Sequence, residues 1–305
     1  MSTPANVLGL FQSLAGVKLM QSPATRVPAP LLSVAIPTYR GAAHLAAAIE
    51  SVLAQTFSDY ELIIVDDNSP DNTANIVASY PDPRIRYLRN ENNLGPQGNW
   101  NRCLDEARGK YFKLLPQDDI LMPECFAQQI AVMEEDTIER IALVFCARRI
   151  IGPADRVVME RGYPGGKRGT TNGVSVTRRC VRYGTNLIGE PGGVLFRTAL
   201  ARRVGAFDAT NPYVIDLDYW FRLLAQGDAY YLPQPLASFR VSSGSWSVAI
   251  GGGQTGDFRK FIARTAAQPV YAIGRLDWTL GYLMAGVNTL LRQIFYRFML
   301  KRTAS

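Results

Sequence analysis

Three apolar runs in the first half of the chain each end in a cluster of polar side chains. Leu31 to Ile36 stops at Pro37-Thr38-Tyr39, Glu61 to Val65 leads into Asp66-Asp67-Asn68-Ser69, and Tyr111 to Leu115 gives way to Gln117-Asp118-Asp119. Short continuous apolar runs suit strands covered on both faces. The spacing predicts helices over Ala42 to Ala54, Asn72 to Tyr80, Asn99 to Ala107 and Pro123 to Glu134, the last with a proline tolerated in its first turn. Arg84 to Leu88 and Ile141 to Cys146 read as further strands, and Asn90 to Asn99, rich in Asn and Gly, as a loop. Strands alternating with helices predict an α/β fold with a largely parallel sheet. Ligands of such sheets bind beyond the carboxyl ends of the strands. The polar clusters recur at that edge.

The pattern changes after residue 147. Gly162 to Gly173, with five glycines and basic side chains, reads as a mobile loop. Gly189-Glu190-Pro191-Gly192-Gly193 leads into Val194-Leu195-Phe196, Ile215 to Ala225 reads as an amphipathic helix, and Tyr230 to Leu232 and Ala237 to Val241 as two short strands. The expected organisation is a lead and linker over 1–30, one domain over 31–250, and a helical tail over 251–305.

Composition narrows the chemistry. The single histidine, His44, and four widely spaced cysteines exclude a His/Cys zinc site and a His-based triad. Any metal must be held by carboxylates. Unpaired cysteines fit a reducing compartment. No secretory leader and no apolar run of about 18 residues is visible, so a spanning helix is not expected. Adjacent aspartates at a strand end either cap the next turn or share a cation that relieves their repulsion. Oxygen ligands suit Mg2+ or Mn2+ beside a diphosphate.

Ser33-Val-Ala-Ile-Pro-Thr-Tyr39, Ser51-Val-Leu-Ala-Gln-Thr-Phe57 and Glu61-Leu-Ile-Ile-Val-Asp-Asp-Asn-Ser69 resemble the start of family 2 glycosyltransferases. Asn93-Leu-Gly95, Gln117-Asp-Asp119 and Asp216-Leu-Asp-Tyr-Trp-Phe-Arg222 continue the match in order. The resemblance covers roughly residues 31 to 245. It implies a GT-A fold, a nucleotide-diphosphate sugar donor, a divalent metal and inverting transfer.

The resemblance places Pro37, Thr38 and Tyr39 at the nucleobase, with Tyr39 available to stack, and gives Asp67 to base reading. Asp66 either joins the nucleotide site or orients the loop. Asn93 and Gly95 approach the nucleoside. Gln117 stands where relatives often carry the first Asp of an Asp-x-Asp triplet, which leaves Asp118 as metal ligand, with Asp119 either assisting or capping the next helix. Asp216 takes the general base position, preceded by Ile215 in place of Glu. Asp218 either faces the acceptor or pairs with Arg222 four residues on. Glu190, Pro191 and Gly192 fall on the acceptor side. Ser242 replaces a histidine, Arg240 faces phosphate or solvent, and the 162–173 loop either closes over the diphosphate or is a disordered insertion. His44 reads as structural.

The leading expectation is an inverting transferase that moves a sugar from a UDP-sugar, less readily dTDP- or GDP-sugar, to a hydroxyl of a glycan or lipid-linked glycan of the cell envelope. The competing readings are a non-catalytic nucleotide-sugar-binding relative and a Mg2+-dependent phosphoacceptor domain. In the tail, Leu276 to Leu300 carries Trp278, Tyr282, Leu283, Leu290, Leu291, Ile294, Phe295 and Phe298, and the basic Arg292, Arg297, Lys301 and Arg302 follow the apolar stretch Trp278 to Leu291. It predicts either peripheral contact with the cytoplasmic face of a membrane or packing on the domain or a second subunit. The net charge of +7 brings no basic-aromatic motif for nucleic acid.

Overall fold

The computed structural model describes residues 29–152, 154–241 and 253–302, the last seven of these as backbone only. The N-terminal lead to residue 28, Ser242 and the Gly251-Gly252 boundary lie outside the described residues, as do the side chains of Phe298, Arg297, Lys301 and Arg302.

Among the described residues ten strands form one sheet. They are β1 (Leu32–Thr38), β2 (Tyr60–Asp66), β3 (Ile85–Arg89), β4 (Tyr111–Leu114), β5 (Ile120–Leu121), β6 (Ile141–Ile151), β7 (Val157–Arg161), β8 (Gly169–Thr171), β9 (Val194–Arg197) and β10 (Asp228–Arg240). Their main order is β3-β2-β1-β4-β9-β6-β10-β5, with β7 paired to β6 and β8 to β10. The helices are α1 (Leu45–Leu53), α2 (Thr73–Ala78), α3 (Gly95–Asp105), α4 (Cys125–Glu135), α5 (Gly173–Tyr183), α6 (Thr198–Val204), α7 (Ile215–Leu224), α8 (Gln254–Ala266) and α9 (Arg275–Arg302).

The apolar runs of β1 and β2 reflect burial on two sides. Successive side chains alternate between faces: Val34, Ile36, Leu62 and Ile64 pack with α1 and α4 residues such as Leu45, Ile49 and Phe126, while Ala35, Ile63 and Val65 join Cys103, Trp220 and Phe261 on the opposite face. The strands β3-β2-β1-β4 are parallel in register. Beyond them antiparallel neighbours join the parallel ladders: β9 runs antiparallel to both β4 and β6, β10 returns parallel to β6, and β5, β7 and β8 pair antiparallel.

Two expectations change. The separate strands over 230–232 and 237–241 are one 13-residue strand, β10, whose register shifts around Pro233 and Pro235. The glycine-rich 162–173 segment is tied to the body rather than being a mobile flap: Tyr163 is buried and its N–H donates to the Tyr231 hydroxyl (3.1 Å), β8 pairs with β10, and Asn172 caps α5 through Ser175 N (3.1 Å).

The C-terminal helices share the main core. Phe258 and Phe261 of α8 and Ala285 of α9 sit in the cluster with Cys180, Val181 and Phe221. A Cβ at Gly281 would stand 2.2 Å from the Val181 carbonyl oxygen, and one at Gly184 2.5 Å from Ala285 N, so α9 crosses α5 at backbone contact. Asp277, buried at the start of α9, accepts from Arg178 (2.8 Å) and Arg182 (2.7 Å) of α5. These two bonds hold its carboxyl below the ordinary range, against the opposing effect of burial. All four cysteines are free and buried, and burial pushes the Cys146 and Cys180 thiols up to about 12, so neither is a reactive thiolate.

Candidate active site

The loops after β1, β2, β3 and β4 meet at the sheet edge and are knotted together by their own polar residues. Thr38 Oγ1 and Tyr39 N both donate to Gln117 Oε1 (2.5 and 2.9 Å), and Gln117 Nε2 donates back to Tyr39 O (3.1 Å). Gln117, expected at the nucleotide, therefore binds the backbone of the first loop, leaving the Tyr39 ring beside the Arg40 guanidinium and 41% exposed.

Asp67 joins the second loop to the third. Its Oδ1 accepts from Asn90 Nδ2 (2.6 Å) and Leu94 N (2.8 Å), its Oδ2 from Gly95 N (2.9 Å), and its own carbonyl accepts from Asn93 Nδ2 (3.1 Å). A carboxylate has about four acceptor directions, so about one is left for a ligand. Gly95 holds φ at 73°, and a Cβ there would meet no protein atom, so backbone conformation requires the glycine. Asp66, one of the expected nucleotide residues, is fully buried and accepts from Ser69 N (2.8 Å) and the Tyr87 hydroxyl (2.6 Å). Of its two readings, the geometry supports orienting the loop.

Asp118 and Asp119 part company. Asp119 is buried and its Oδ1 accepts from Arg240 N (3.0 Å) on β10. It does not cap the following helix, which starts at Cys125 with Glu124 before it. Burial, then the neighbouring Asp118 charge, raises its pKa well above the usual range. Arg240 faces neither phosphate nor solvent: it is buried, donates to Asp118 O (2.8 Å) and Gly152 O (3.2 Å), and pairs with Asp155. The half-buried Asp118 carboxyl is raised by burial and takes no side-chain hydrogen bond from the described residues.

The second half of the chain supplies the rest. Asp216, in the first turn of α7, accepts from Asn186 Nδ2 (3.0 Å) and Leu217 N (2.7 Å). Burial first, then the Glu190 carboxylate, pushes its pKa up to about 7. Glu190 pairs with Arg148, a buried arginine of β6. The turn Pro191–Gly193 is held from beneath by the buried Lys113, whose Nζ donates to Gly192 O (2.7 Å) and Val194 O (3.1 Å), and by Gln129 Nε2 to Gly193 O (2.9 Å). Asp218, a candidate for the acceptor side, pairs instead with Arg222 (3.0 Å) and with Arg264 of α8. Two residues along a helix is a rotation of about 200°, so Asp216 and Asp218 point oppositely.

A cavity of about 520 Å³ gathers Asp118, Arg148, Glu190, Pro191 and Asp216. Its wall includes neither Tyr39, Asp67, Asn93 and Gly95, the residues expected at the nucleobase, nor Asp218. His44 feels the charges of Arg240 and Asp118, after the larger effect of burial, which lowers its pKa.

Among the described residues no group of three or more His, Cys, Asp or Glu is arranged as a metal cage. Mg2+ and Mn2+ sites completed by substrate phosphates need only one or two carboxylates. The Asp118 carboxylate fits that demand, whereas Asp119 is committed to Arg240.

Three residues here escaped the sequence reading: Arg148, Asn186 and Lys113. The signal was present for two of them, since a lone charge inside a buried apolar strand needs a partner. Lys113→Met is expected to cost about 2–5 kcal/mol by leaving two buried carbonyls unpaired. It should lower the melting temperature, as thermal denaturation would show.

A model described as glycosyl transferase family 2 matches residues 33–215. An uncharacterized protein of Mycobacterium tuberculosis is 33% identical over 218 residues, which cover 68% of this chain and 66% of that one, just under two thirds. The UDP-Glc:α-D-GlcNAc-diphosphoundecaprenol β-1,3-glucosyltransferase WfgD of Escherichia coli is 37% identical over 108 residues, 35% of this chain and 43% of its own. The crystal structure of S. aureus TarS 1-349 in complex with UDP-GlcNAc superimposes with a TM-score of 0.62 at 19% identity, covering 77% of this chain and 65% of that one, a likeness of fold.

Proposed function

The chain belongs to glycosyl transferase family 2, and from that premise we propose that it transfers a sugar from a UDP-sugar to a hydroxyl of a lipid-linked glycan. The observation that carries this reading is the shared cavity of Asp118 and Asp216, with Asp216 tuned to about 7. A base near the working pH takes a proton well. In the proposed step Asp216 takes the acceptor hydroxyl proton. The oxygen attacks the anomeric carbon opposite the leaving nucleoside diphosphate, and the configuration inverts. Asp118 would hold the divalent cation, Mg2+ or Mn2+, which supplies charge neutralisation at the diphosphate when bound. Tyr39, Asp67, Asn93 and Gly95 frame the nucleoside side. The UDP donor is favoured by WfgD's UDP-Glc and by the TarS complex, and the lipid-linked acceptor by WfgD's diphosphoundecaprenol.

A panel of sugar nucleotides offered with lipid-linked acceptors tests this. Release of nucleoside diphosphate that depends on metal and on Asp216 is the expected result. Tight UDP binding with no turnover on any acceptor would favour the non-catalytic reading instead.

The pH profile follows from the sign of the Asp216 shift. A raised pKa keeps the carboxyl protonated and idle in acid, so kcat/KM should climb tenfold per pH unit below about 7 and level off above it. A profile flat from pH 5 to 8 (about two units below to one above) would remove Asp216 as base.

The enzyme is further proposed to work at the cytoplasmic face of the membrane. No helix among the described residues is long and apolar enough to cross a bilayer. α9 nevertheless exposes Leu276, Leu283, Val287, Leu290 and Ile294, a face that suits interfacial binding. Because α9 also closes the core, substitution tests this better than truncation: L283D/L290D should lose flotation with anionic liposomes. Dimerisation abolished by the same pair would assign the face to a second copy.

A further inference from the structure

The cavity that holds Asp118 and Asp216 is mostly apolar elsewhere. Ile150 and Met159 from the β6–β7 hairpin, Tyr213 and Phe258, and Leu291 and Phe295 from α9 all line it. Polar partners for a sugar ring are present in Thr185, Asn186, Glu190 and Asn288, but this apolar stretch of wall offers a sugar nothing to bond. Three guanidiniums line the same space, from Arg148, Arg161 and Arg292. Arg148 is engaged by Glu190, and Arg292 is oriented by Gln254 Oε1 (2.8 Å) and by the Tyr213 ring beneath it. Guanidiniums so fixed are suited to phosphate oxygens, which they bind in pairs of parallel hydrogen bonds.

The apolar wall also continues into solvent on two separate elements. On β7, Val157 and Met159, two residues apart on one face of the strand, are 54 and 42% exposed; on α9, Leu290 and Leu291 are 58 and 57% exposed. Met159 and Leu291 belong both to the cavity and to these exposed apolar positions. The apolar lining of the cavity thus reaches solvent on β7 and on α9. Exposed apolar surface that adjoins a cavity marks a binding function.

We propose that this cavity is the seat of an isoprenoid diphosphate. The arginines take the diphosphate, and the apolar wall takes the first isoprene units. The hydrocarbon leaves between β7 and α9, and the sugar on the far side of the diphosphate presents its hydroxyl to Asp216. This deepens the lipid-linked acceptor reading and rests on it. The three parts of such a molecule (sugar, diphosphate, hydrocarbon) match the three kinds of side chain that line the cavity: carboxylates, arginines and apolar groups. The nucleobase loops lie outside the cavity, so the donor shares it only through its diphosphate and sugar at Asp118 and Asp216.

Farnesyl diphosphate is the probe, titrated calorimetrically into the full chain beside inorganic pyrophosphate and farnesol. Farnesyl diphosphate should bind at least about tenfold tighter than either fragment, since each fragment meets only one half of the site. Met159→Asp and Leu291→Asp should each weaken it by about tenfold or more, because each puts a charge into the apolar wall. Both side chains are partly exposed, so these variants should keep the wild-type melting temperature. Val270→Asp, at an exposed apolar position outside the cavity, should bind like the wild type. Farnesyl diphosphate binding no tighter than pyrophosphate, or equally well in all three variants, would overturn the proposal. UDP affinity and acceptor-independent hydrolysis of UDP-sugar are read on the same preparations. Donor hydrolysis without farnesyl diphosphate binding sinks the cavity assignment alone, whereas farnesyl diphosphate binding without any UDP affinity sinks the transferase reading.

Discussion

Asp216→Asn should lower kcat by about 1,000-fold while leaving UDP affinity near that of the wild type. The amide keeps the size of the side chain and can still accept from Leu217 N, so α7 should start as before. What it loses is the ability to take a proton. It also relieves the repulsion from Glu190, while its amide N–H replaces the oxygen that accepts from Asn186 Nδ2, so the two effects on stability oppose one another. Single-turnover kinetics with a saturating donor separate the chemical step from UDP binding. A fall in UDP affinity with kcat retained would place Asp216 in ground-state binding instead.

Asp67→Ala should have the other large effect, on the fold of the site rather than on chemistry. Removing the carboxylate takes their acceptor from Asn90 Nδ2, Leu94 N and Gly95 N; Asn90 is buried but keeps Asn99 Oδ1 (3.2 Å), while Leu94 is 52% exposed and its N–H can turn to water. At about 1–3 kcal/mol for a fully stranded donor and less where water reaches, the loss amounts to about 1–3 kcal/mol, a sizeable share of a domain's stability. UDP binding should vanish with the ordering of the third loop. Asp67→Asn separates the two roles: it restores part of the volume but offers an amide N–H where N–H donors already point. Chemical denaturation together with UDP titration would show whether the carboxylate serves the loop, the base or both. A variant as stable as the wild type would mean that the knot contributes little.

What the sequence disclosed, and what it hid, follows from the range of the forces involved. β1 and β2 were legible because both faces are covered, which turns a local run of apolar residues into a reliable mark. The polar residues at the ends of β1, β2 and β4 gave the edge of the sheet that carries the site. Strand direction was not legible, since nothing local to Val194–Arg197 tells whether β9 runs with or against β4. Pro233 and Pro235 looked like breaks between two strands because proline lacks a ladder donor, yet β10 absorbs them by shifting register. The same limit governs the side chains. Asp216 and Asp218 are equivalent in composition and differ only in which side of α7 they occupy. Asp119 looked like a helix cap until β10 arrived 121 residues later to use it. Lys113 and Arg148 make sense only beside the Gly192 carbonyl and Glu190, and neither partner is near in sequence.

The share of the cavity wall built by Phe258, Leu291 and Phe295 bears on how the molecule matures during synthesis. The three strand-end clusters leave the ribosome early and can collapse around their own hydrogen bonds, as N-terminal units commonly do. The α5 surface meanwhile waits with Arg178 and Arg182 lacking Asp277, and with Val181 lacking Gly281. A ribosome stalled before α9 would thus carry the strand-end loops beside a cavity that lacks the Leu291 and Phe295 part of its wall. Competence to transfer should appear late and abruptly along the nascent chain, at the codon that frees α9 to dock.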